Sequence, residues 1–460
     1  MKTFAPMSHI NDTITALATP PGQGALGIIR VSGSQTIPIV NDLFKGKDLT
    51  KVGSHTIHLG TIRNDENEII DEVLVSIFKG PNSYTKEDVI EISSHGSQYI
   101  LQKILSLLVS KGARLAKPGE FTQKAFLNGR FDLAQAEAVA DLIASENASM
   151  QQTAMKQMRG GFSEEIKNLR EQLVHFASMI ELELDFAEED VEFADRQGLI
   201  DLVNKIQTLI QSLISSFEYG NAIKNGIPTV IAGKPNAGKS TLLNALLNEE
   251  KAIVSDVAGT TRDFIEDQIY LDGIAFRFID TAGIRETEDK VESIGVQRTL
   301  EKMKQASLVI YMIDLKSDNV ADVHEQIKGL RQSKVPYLVV GNKEDEGQQE
   351  LMDAIGEESP VFISAKSKTH LDDLKVRLKE FVAETKSSSD VIVTNARHLQ
   401  SLQQTDEALN RVIEGINMQM SNDLVAQDIR SALFHLGEIT GEVTTDDLLE
   451  NIFSKFCIGK

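Results

Sequence analysis

Eight consecutive residues, 233–240, have the types and spacing of a phosphate-binding loop: Gly-Lys-Pro-Asn-Ala-Gly-Lys-Ser. They follow an apolar run that starts at Ile227, so the pattern predicts a buried strand that turns through the loop into a helix. The backbone N–H groups of such a loop and the N-terminus of the helix converge on phosphate. The loop therefore predicts a nucleotide site. Its candidate contacts are Asn236, Ala237, Gly238, Lys239, Ser240 and Thr241.

Three shorter motifs follow in the order that a GTP-binding domain requires. The first motif is Asp-Thr-Ala-Gly at 280–283, which follows a strand-like run. Its carboxylate can hold Mg²⁺, and its glycine N–H can lie beside the γ-phosphate. In the second, Asp345 can accept from the ring N–H and the exocyclic amino group of guanine, a donor pair that adenine lacks. The third motif, Ser-Ala-Lys at 364–366, can present a backbone N–H to the guanine oxygen. Any one motif could be a simple turn after a strand, but four in order predict guanine. The added candidates are Asp280, Thr281, Ala282, Gly283, Asn342, Lys343, Asp345, Ser364, Ala365 and Lys366.

Length, charge and cysteine content limit the class of protein. The chain has 460 residues, which predicts two to four domains. A formal net charge of −21 argues against broad electrostatic adhesion to nucleic acid, so any RNA contact must be local or shared with a partner. The single cysteine, Cys457, excludes a disulfide framework and a CxxC metal site. Without a transmembrane-length apolar stretch or a signal-peptide core, we expect a cytoplasmic protein with no membrane association.

Segments of helical spacing lie on both sides of the nucleotide motifs. Apolar residues recur at three- and four-residue steps over 166–184 and 203–217, and again over 399–416 and 424–436. These stripes predict one helical bundle into which the nucleotide domain is inserted, and two independent helical pairs are the alternative.

The first 125 or so residues have a different pattern. Alternating and apolar runs predict strands, and residues 99–109 predict a helix, which together indicate an α+β domain. A GxGxxG pattern at residues 22–27 is followed by a strand and not by a helix, so we reject a dinucleotide site there. The predicted strands are 14–17, 26–31, 55–59, 72–78 and 89–92.

Taken together, these pieces resemble the MnmE (TrmE) family of tRNA-modification GTPases. The matching segments are Ala-Thr-Pro-Pro-Gly at 18–22, Pro-Asn-Ser-Tyr-Thr-Lys-Glu-Asp at 81–88, Pro-Gly-Glu-Phe at 118–121, Leu-Ala-Gln-Ala-Glu at 133–137, the nucleotide motifs and Cys-Ile-Gly-Lys at 457–460. The resemblance implies a multidomain fold in which an α/β P-loop GTPase domain is inserted into an all-α helical domain, after an α+β folate-binding-like N-terminal domain. The expected boundaries are 1–128 for the N-terminal dimerisation domain, 129–223 and 386–460 for the two helical parts, and 224–385 for the G domain.

The resemblance also implies an activity. Members hydrolyse GTP as homodimers and, with the flavoprotein MnmG in a heterotetramer-type complex, form a 5-carboxymethylaminomethyl- or aminomethyl-type uridine at the wobble position of certain tRNAs. A different class, a regulatory GTPase switch that binds RNA or assembling ribosomes, shares the G domain. That class usually carries a basic RNA-binding appendage, whereas this chain is acidic.

Many small GTPases use a glutamine to orient the attacking water and an arginine finger to stabilise the transition-state charge. Ile284 stands at the position of that glutamine, so both roles must be filled by other groups. By resemblance, a K⁺ ion replaces the arginine finger and is bound by Asn236, by the carbonyls of Ser255 and Val257, and by Thr260. Mg²⁺ takes the hydroxyls of Ser240 and Thr261, and Lys239 steadies the β- and γ-phosphates. Glu292 orients the attacking water, although a solvated glutamate on a helix surface fits the sequence equally well.

The resemblance further implies a site for 5-formyltetrahydrofolate or a related reduced folate, formed by Arg30, Glu87, Arg130 and Lys460. A lysine and an arginine suit the glutamate tail of the ligand, and a carboxylate suits the donor edge of the pterin. The plain alternative is that all four are surface charges. Cys457 is either an accessible thiol in a flexible tail or a small apolar residue packed at a domain junction, and we expect a supporting part in tRNA modification.

Overall fold

The computed structural model describes residues 12–185, 196–250, 267–279, 306–384 and 391–460. The chain forms two compact units. The first unit comprises Met1–Ala144, Ala154–Ile206 and Ser401–Lys460, and the second comprises Ser145–Thr153 and Gln207–Gln400. Each unit contains one β-sheet.

The strands and helices fall in the following order. The strands are β1 Ile14–Leu17, β2 Leu26–Ser32, β3 Phe44–Lys45, β4 Thr56–Arg63, β5 Ile69–Phe78, β6 Val89–His95, β7 Arg114–Leu115, β8 Ile227–Gly233, β9 Asp267–Leu271, β10 Ile274–Phe278, β11 Leu308–Asp314, β12 Tyr337–Asn342 and β13 Val361–Ile363. The helices are α1 Thr36–Leu43, α2 Gln98–Ser110, α3 Glu120–Leu127, α4 Leu133–Ile143, α5 Ala148–Met158, α6 Gly161–Asp185, α7 Arg196–Asn225, α8 Lys239–Glu250, α9 Val320–Ser333, α10 Gln349–Ala354, α11 Leu371–Glu384, α12 Ala396–Asn417, α13 Asn422–Thr440 and α14 Asp446–Phe453. Among the described helices, none combines the length and the apolarity needed to span a membrane.

The sheet of the first unit has seven strands in the order β3-β4-β5-β6-β2-β1-β7. Its neighbours pair antiparallel, except that β1 and β7 are parallel. On β5, Val73, Val75 and Ile77 point into a core shared with α1 and α2, as strict alternation requires. The strands and the helix predicted from sequence in this region are confirmed, and Gly27 lies inside β2.

The remaining helices of the first unit bring distant parts of the chain together. Helix α6 packs along α13, and Arg170 of α6 forms an ion pair with Glu442. The predicted stripe on α6 is buried, including Ile166, Leu169 and Leu173. Helices that flank the nucleotide motifs in sequence therefore share one bundle, which confirms the insertion and excludes two independent pairs.

The sheet of the second unit has six strands in the order β13-β12-β11-β8-β10-β9. All neighbours are parallel except β9 and β10, so the carboxyl ends of β8, β11, β12 and β13 meet at one edge. Every residue of β11 is buried, as expected for a central parallel strand that is covered on both faces. Two apolar clusters, one on each side of the sheet, form the core. The edge at which these parallel strands end carries the nucleotide motifs.

Candidate functional site

The loop between β8 and α8 has a backbone that only certain residues can adopt. Gly233 has φ +144°, and a Cβ there would lie 2.3 Å from the Met312 carbonyl oxygen. Asn236 occupies the left-handed region at φ 62° and is exposed at the middle of the loop. A glycine is required where β8 approaches β11, and the exposed apex presents a side-chain amide.

Lys239 begins α8 and turns back into the loop. Its ammonium donates to the carbonyl oxygens of Gly233 and Lys234, each at 2.8 Å. Burial lowers the pKa of Lys239. Ser240 and Thr241 follow in the first turn of α8, half-buried and exposed respectively. A cation and a helix N-terminus therefore share the concave side of the loop, where a phosphate is favoured.

Asn342, at the end of β12, connects two of the predicted motifs. Its buried amide nitrogen donates to the Ala237 carbonyl at 2.7 Å, and its amide oxygen accepts from the Ala365 N–H at 3.0 Å. A Cβ on Gly238 would lie 2.2 Å from the same amide nitrogen. The side chain of Asn342 thus fixes the phosphate-binding loop against the loop that follows β13.

The motif after Asn342 turns toward solvent. Lys343 adopts a left-handed conformation with φ 63°, and a short 3₁₀ helix, Glu344–Glu346, holds Asp345 in an exposed position. Ser364 forms an isolated antiparallel bridge with Thr369, which closes the loop that carries Ala365 and the exposed Lys366. An exposed carboxylate is available to accept from a donor pair on a base, and such hydrogen bonds discriminate against a base that lacks the donors.

A buried carboxylate at the end of β11 supports the lysine of this motif. The Lys343 ammonium donates to Asp314 at 2.5 Å. Burial raises the pKa of Asp314, but hydrogen bonds from Lys343, Ser317 and the Lys316 N–H outweigh it and lower the pKa below its ordinary value. Asp314 is therefore charged at neutral pH and fixes the ammonium of Lys343 at the end of β11.

Several predicted residues lie outside the described residues. They are Ser255, Val257, Thr260, Thr261, Asp280, Thr281, Ala282, Gly283, Ile284 and Glu292. Their assignments stay predictions.

The first unit contains a second polar site, a cleft of about 500 Å³ whose lining includes Arg30, Tyr84 and Arg130. The guanidinium carbons of Arg30 and Arg130 each lie 5.2 Å from the centre of the Tyr84 ring. Arg30 also forms an ion pair with Glu91 at 2.8 Å, opposite it across β2 and β6. The structure therefore brings two of the predicted folate residues together around an aromatic ring.

The C-terminal tail reaches the same arginine. Arg30 donates to the Gly459 carbonyl at 3.1 Å, and the Cys457 carbonyl accepts from the Gly119 N–H at 3.3 Å. Burial lowers the pKa of Lys460, and the charge of Arg30 lowers it further. These contacts dock the tail against the first unit, which differs from the flexible tail expected from the sequence. The thiol of Cys457 is exposed, so it is the accessible alternative that the structure supports.

The carboxylate of Glu87 is engaged by Lys124 and Ser32. Both of its carboxylate oxygens accept from the buried Lys124 ammonium, at 3.0 and 2.9 Å, and one also accepts from the Ser32 hydroxyl at 3.1 Å. It does not line the cleft that holds Arg30 and Arg130. Of the four predicted residues, Arg30 and Arg130 line the cleft, Lys460 lies near enough to Arg30 for its pKa to be affected, and Glu87 belongs to an internal network.

Sequence reasoning missed several residues of both sites. Asp314 had a usable signal, because it ends the apolar run of a parallel strand and such positions meet at the ligand-binding edge. Tyr84 also had a signal, because it lies in the family-like segment at 81–88, whereas Glu91 and Lys124 had none, since their positions depend on pairing between segments distant in sequence.

A parallel sheet, a glycine-rich loop that leads into a helix, and an Asn-Lys-x-Asp motif joined to that loop define a P-loop GTP-binding domain. Comparison with known protein families agrees with this assignment to a GTP-binding class. Residues 133–457 match the family model described as the MnmE helical domain, and residues 13–130 match the model described as the GTP-binding protein TrmE N-terminus. The chain therefore belongs to the MnmE family of tRNA modification GTPases.

Full-length relatives carry the same name. The tRNA modification GTPase MnmE of Cytophaga hutchinsonii is 58% identical over 462 residues, with all of both chains covered. The proteins of that name from Christiangramia forsetii and Flavobacterium psychrophilum are each 54% identical, covering 98% of this chain and 100% and 99% of their own length. The similarity extends across both units.

Proposed function

We propose that this chain is a potassium-activated GTP hydrolase that, with the flavoprotein MnmG, forms a 5-carboxymethylaminomethyl- or aminomethyl-type uridine at the wobble position of certain tRNAs. The observation that carries the proposal is the Asn342 side chain, which joins the phosphate-binding loop to the loop after β13. It makes one site of motifs that are more than a hundred residues apart. Full-length similarity to proteins named tRNA modification GTPase supports the choice of substrate and a cytoplasmic location.

GTP binding is assigned to the loop and to the two segments that face it. Residues 236–241 contact the phosphates, Asp345 reads the two donor groups of guanine, and Ala365 offers its N–H to the guanine oxygen. Asn342 and Lys343 position these groups, and the remaining candidates at 280–283 complete the γ-phosphate side. The exposure of Asp345 supports this assignment, since a base must reach it.

The residues present fit two cations. Ser240 supplies a hydroxyl at the start of α8 for Mg²⁺, with Thr261 as its second protein ligand. Asn236 supplies an exposed amide oxygen for K⁺, with Ser255, Val257 and Thr260. K⁺ beside the phosphates supplies the electrostatic stabilisation that an arginine finger gives elsewhere. Glu292 orients the attacking water.

The cleft around Tyr84 is assigned to 5-formyltetrahydrofolate or a related reduced folate. Arg30, Arg130 and Lys460 present positive charge to the carboxylates of the glutamate tail. Glu87 contributes through the network with Lys124, and the aromatic ring gives the pterin a surface to stack on. Cys457, exposed and close in sequence to Lys460, has a supporting part in the tRNA chemistry.

Partners and domain boundaries complete the proposal. The outer face of β4 and β5 exposes Ile57, Leu59 and Leu74, at 65, 64 and 45%, while the other face of β5 is buried. This apolar face supports a homodimer formed through the N-terminal domain. MnmG joins the dimer in a heterotetramer-type complex that acts on tRNA. The proposed domains are 1–128, 129–223 with 386–460, and 224–385.

Two experiments test the proposal. Nucleoside mass spectrometry of tRNA from cells lacking this protein should show loss of the modified wobble uridine. Unchanged wobble uridines would instead support a regulatory GTPase that acts on ribosomes or RNA. GTP turnover should be faster in KCl than in NaCl at equal ionic strength, and equal rates would remove Asn236 from its role as a potassium ligand.

A further inference from the structure

Lys234, the second residue of the phosphate-binding loop, is held between two aspartates. Its ammonium lies 3.3 Å from Asp318 and 2.7 Å from Asp322. Both acids belong to the segment that leads from β11 into α9. The side chain of Asp318 is only 6% exposed, so its charge needs a cation nearby. Lys234 supplies that cation from the loop itself.

The main chain of Lys234 is fixed as well. Its carbonyl accepts from the Lys239 ammonium at 2.8 Å and from the Ala237 N–H at 3.3 Å. Lys234 thus fixes the first turn of the loop in two ways. Its carbonyl bonds to Lys239 and Ala237 of the loop, and its ammonium bonds to the two aspartates. Asn236, at the apex, lies between these anchored positions.

The segment that carries Asp318 is also connected, through Asp314, to the Asn-Lys-x-Asp motif that follows β12. The Asp314 N–H donates to the second carboxylate oxygen of Asp318 at 2.9 Å, and the Asp314 carboxylate accepts from Lys343. The end of β11 therefore connects the phosphate-binding loop to the loop that carries Asp345. None of these contacts follows from the nucleotide motifs.

The start of α9 does not need Lys234. Asn319 caps the helix by accepting from the Asp322 N–H at 2.9 Å, and its amide nitrogen donates to the Asp322 carboxylate at 2.8 Å. Because Asn319 already caps the helix, we infer that the ion pair between Asp322 and Lys234 stabilises the position of the loop and not the start of the helix. The hydrogen bond with Asp322 raises the pKa of Lys234, and the same bond lowers the pKa of Asp322. Both groups stay charged throughout the neutral range.

We propose that Lys234, Asp318 and Asp322 form a clamp that positions the phosphate-binding loop for guanine nucleotides. Lys234 is then a positioning residue, which acts through the backbone of residues 234–239 and does not touch phosphate. Because GDP and GTP use the same loop, the clamp affects the affinity for both and KM more than kcat. The inference rests on guanine nucleotide binding at this loop.

The test compares variants of the full-length protein by the affinity for a fluorescent GDP analogue and by steady-state GTP turnover. Lys234→Met should weaken GDP and GTP binding by about three- to tenfold, and Lys234→Arg should restore most of it. Arg331→Met is the matched control, because Arg331 lies on the same helix α9 and pairs with Glu358 at its other end. It should leave both affinities unchanged.

A double-mutant cycle separates positioning from direct contact. In an Asp318→Asn, Asp322→Asn background, the effect of Lys234→Met should largely disappear. A full, additive loss in that background would show direct contact with phosphate and overturn the clamp, as would wild-type affinity in Lys234→Met. Asp322→Asn alone, which keeps the contacts of the cap, provides a milder variant if Lys234→Met does not fold. Failure of the wild-type protein to bind GDP would instead refute the proposed function.

Discussion

The two polar sites of this molecule are built in opposite ways. The candidate nucleotide site is centred on eight consecutive residues, and within the described part of the chain the Asn342 side chain joins this loop to the Ala365 N–H. The lining of the cleft around Tyr84 includes side chains at positions 30, 84 and 130, which are distant in sequence, and the docked tail reaches Arg30 through the Gly459 carbonyl. A backbone site needs particular residues at fixed spacing, whereas a side-chain site needs only that the fold bring charges together.

This difference decides how each site should respond to substitution. The nucleotide loop should fail sharply when its backbone is altered, because its N–H groups cannot be replaced one at a time. The cleft should lose affinity in steps, because several side chains share the binding.

The largest effect is expected for Gly238→Ala. At φ +97° an alanine is strained, and its Cβ would displace the Asn342 amide from the Ala237 carbonyl. GDP affinity should fall about a hundredfold or more. The measurement is titration with a fluorescent GDP analogue. Gly329→Ala is the control, since nothing lies within 4 Å of its Cβ and it should bind normally. Near wild-type affinity in Gly238→Ala would mean that the loop is not the binding element.

Gly459→Ala should disable the cleft and leave the nucleotide site intact. A Cβ there would lie 2.4 Å from the Leu17 carbonyl, so the tail must leave Arg30. We expect about a tenfold loss of 5-formyltetrahydrofolate affinity by calorimetry, with unchanged GDP affinity. Gly112→Ala is the control for backbone strain. Gly459 has φ +94° and Gly112 has φ +104°, but a Cβ on Gly112 would have nothing within 4 Å. An equal loss in both variants would show that general strain, and not tail docking, is responsible.

Replacements of Tyr84 should separate its ring from its hydroxyl. Tyr84→Leu removes the surface under both guanidinium groups, and each cation–π contact contributes about 0.5–1 kcal/mol at such a site. Folate affinity should fall about five- to tenfold. Tyr84→Phe loses only the hydrogen bond to Thr122 and should change affinity less than about threefold. Equal losses in the two variants would assign the role to the hydroxyl.

The smallest effect concerns pH at the base-reading loops. The His370 ring donates to Glu344 at 2.7 Å, which raises the pKa of His370. A raised folded-state pKa means that the ion pair stabilises the fold below about pH 6.5 and is lost as pH rises through the raised value. Glu344→Gln should move the NMR titration of His370 to lower pH and change GDP affinity less than about twofold. An unmoved titration would refute the pairing.

Much of the fold was accessible to pattern reasoning for a physical reason. Alternation on β5 and the apolar stripe on α6 reflect one-sided burial, which leaves a period in the sequence. The tail gave no such signal. We expected it to be flexible, whereas its Cys457 and Gly459 carbonyls accept from the Gly119 N–H and from the Arg30 guanidinium.

The sequence by itself determined the phosphate-binding loop, the guanine motif and the insertion of one domain into a helical bundle. These depend on local backbone geometry and on hydrophobic periodicity, both written in neighbouring residues. Only the tertiary structure decided that Glu87 pairs with Lys124, that two arginines contact the Tyr84 ring and that Lys234 forms ion pairs with Asp318 and Asp322. Each of these contacts joins residues 37 to 88 positions apart, and the sequence carries no record of which charges the folded chain brings within a few ångströms.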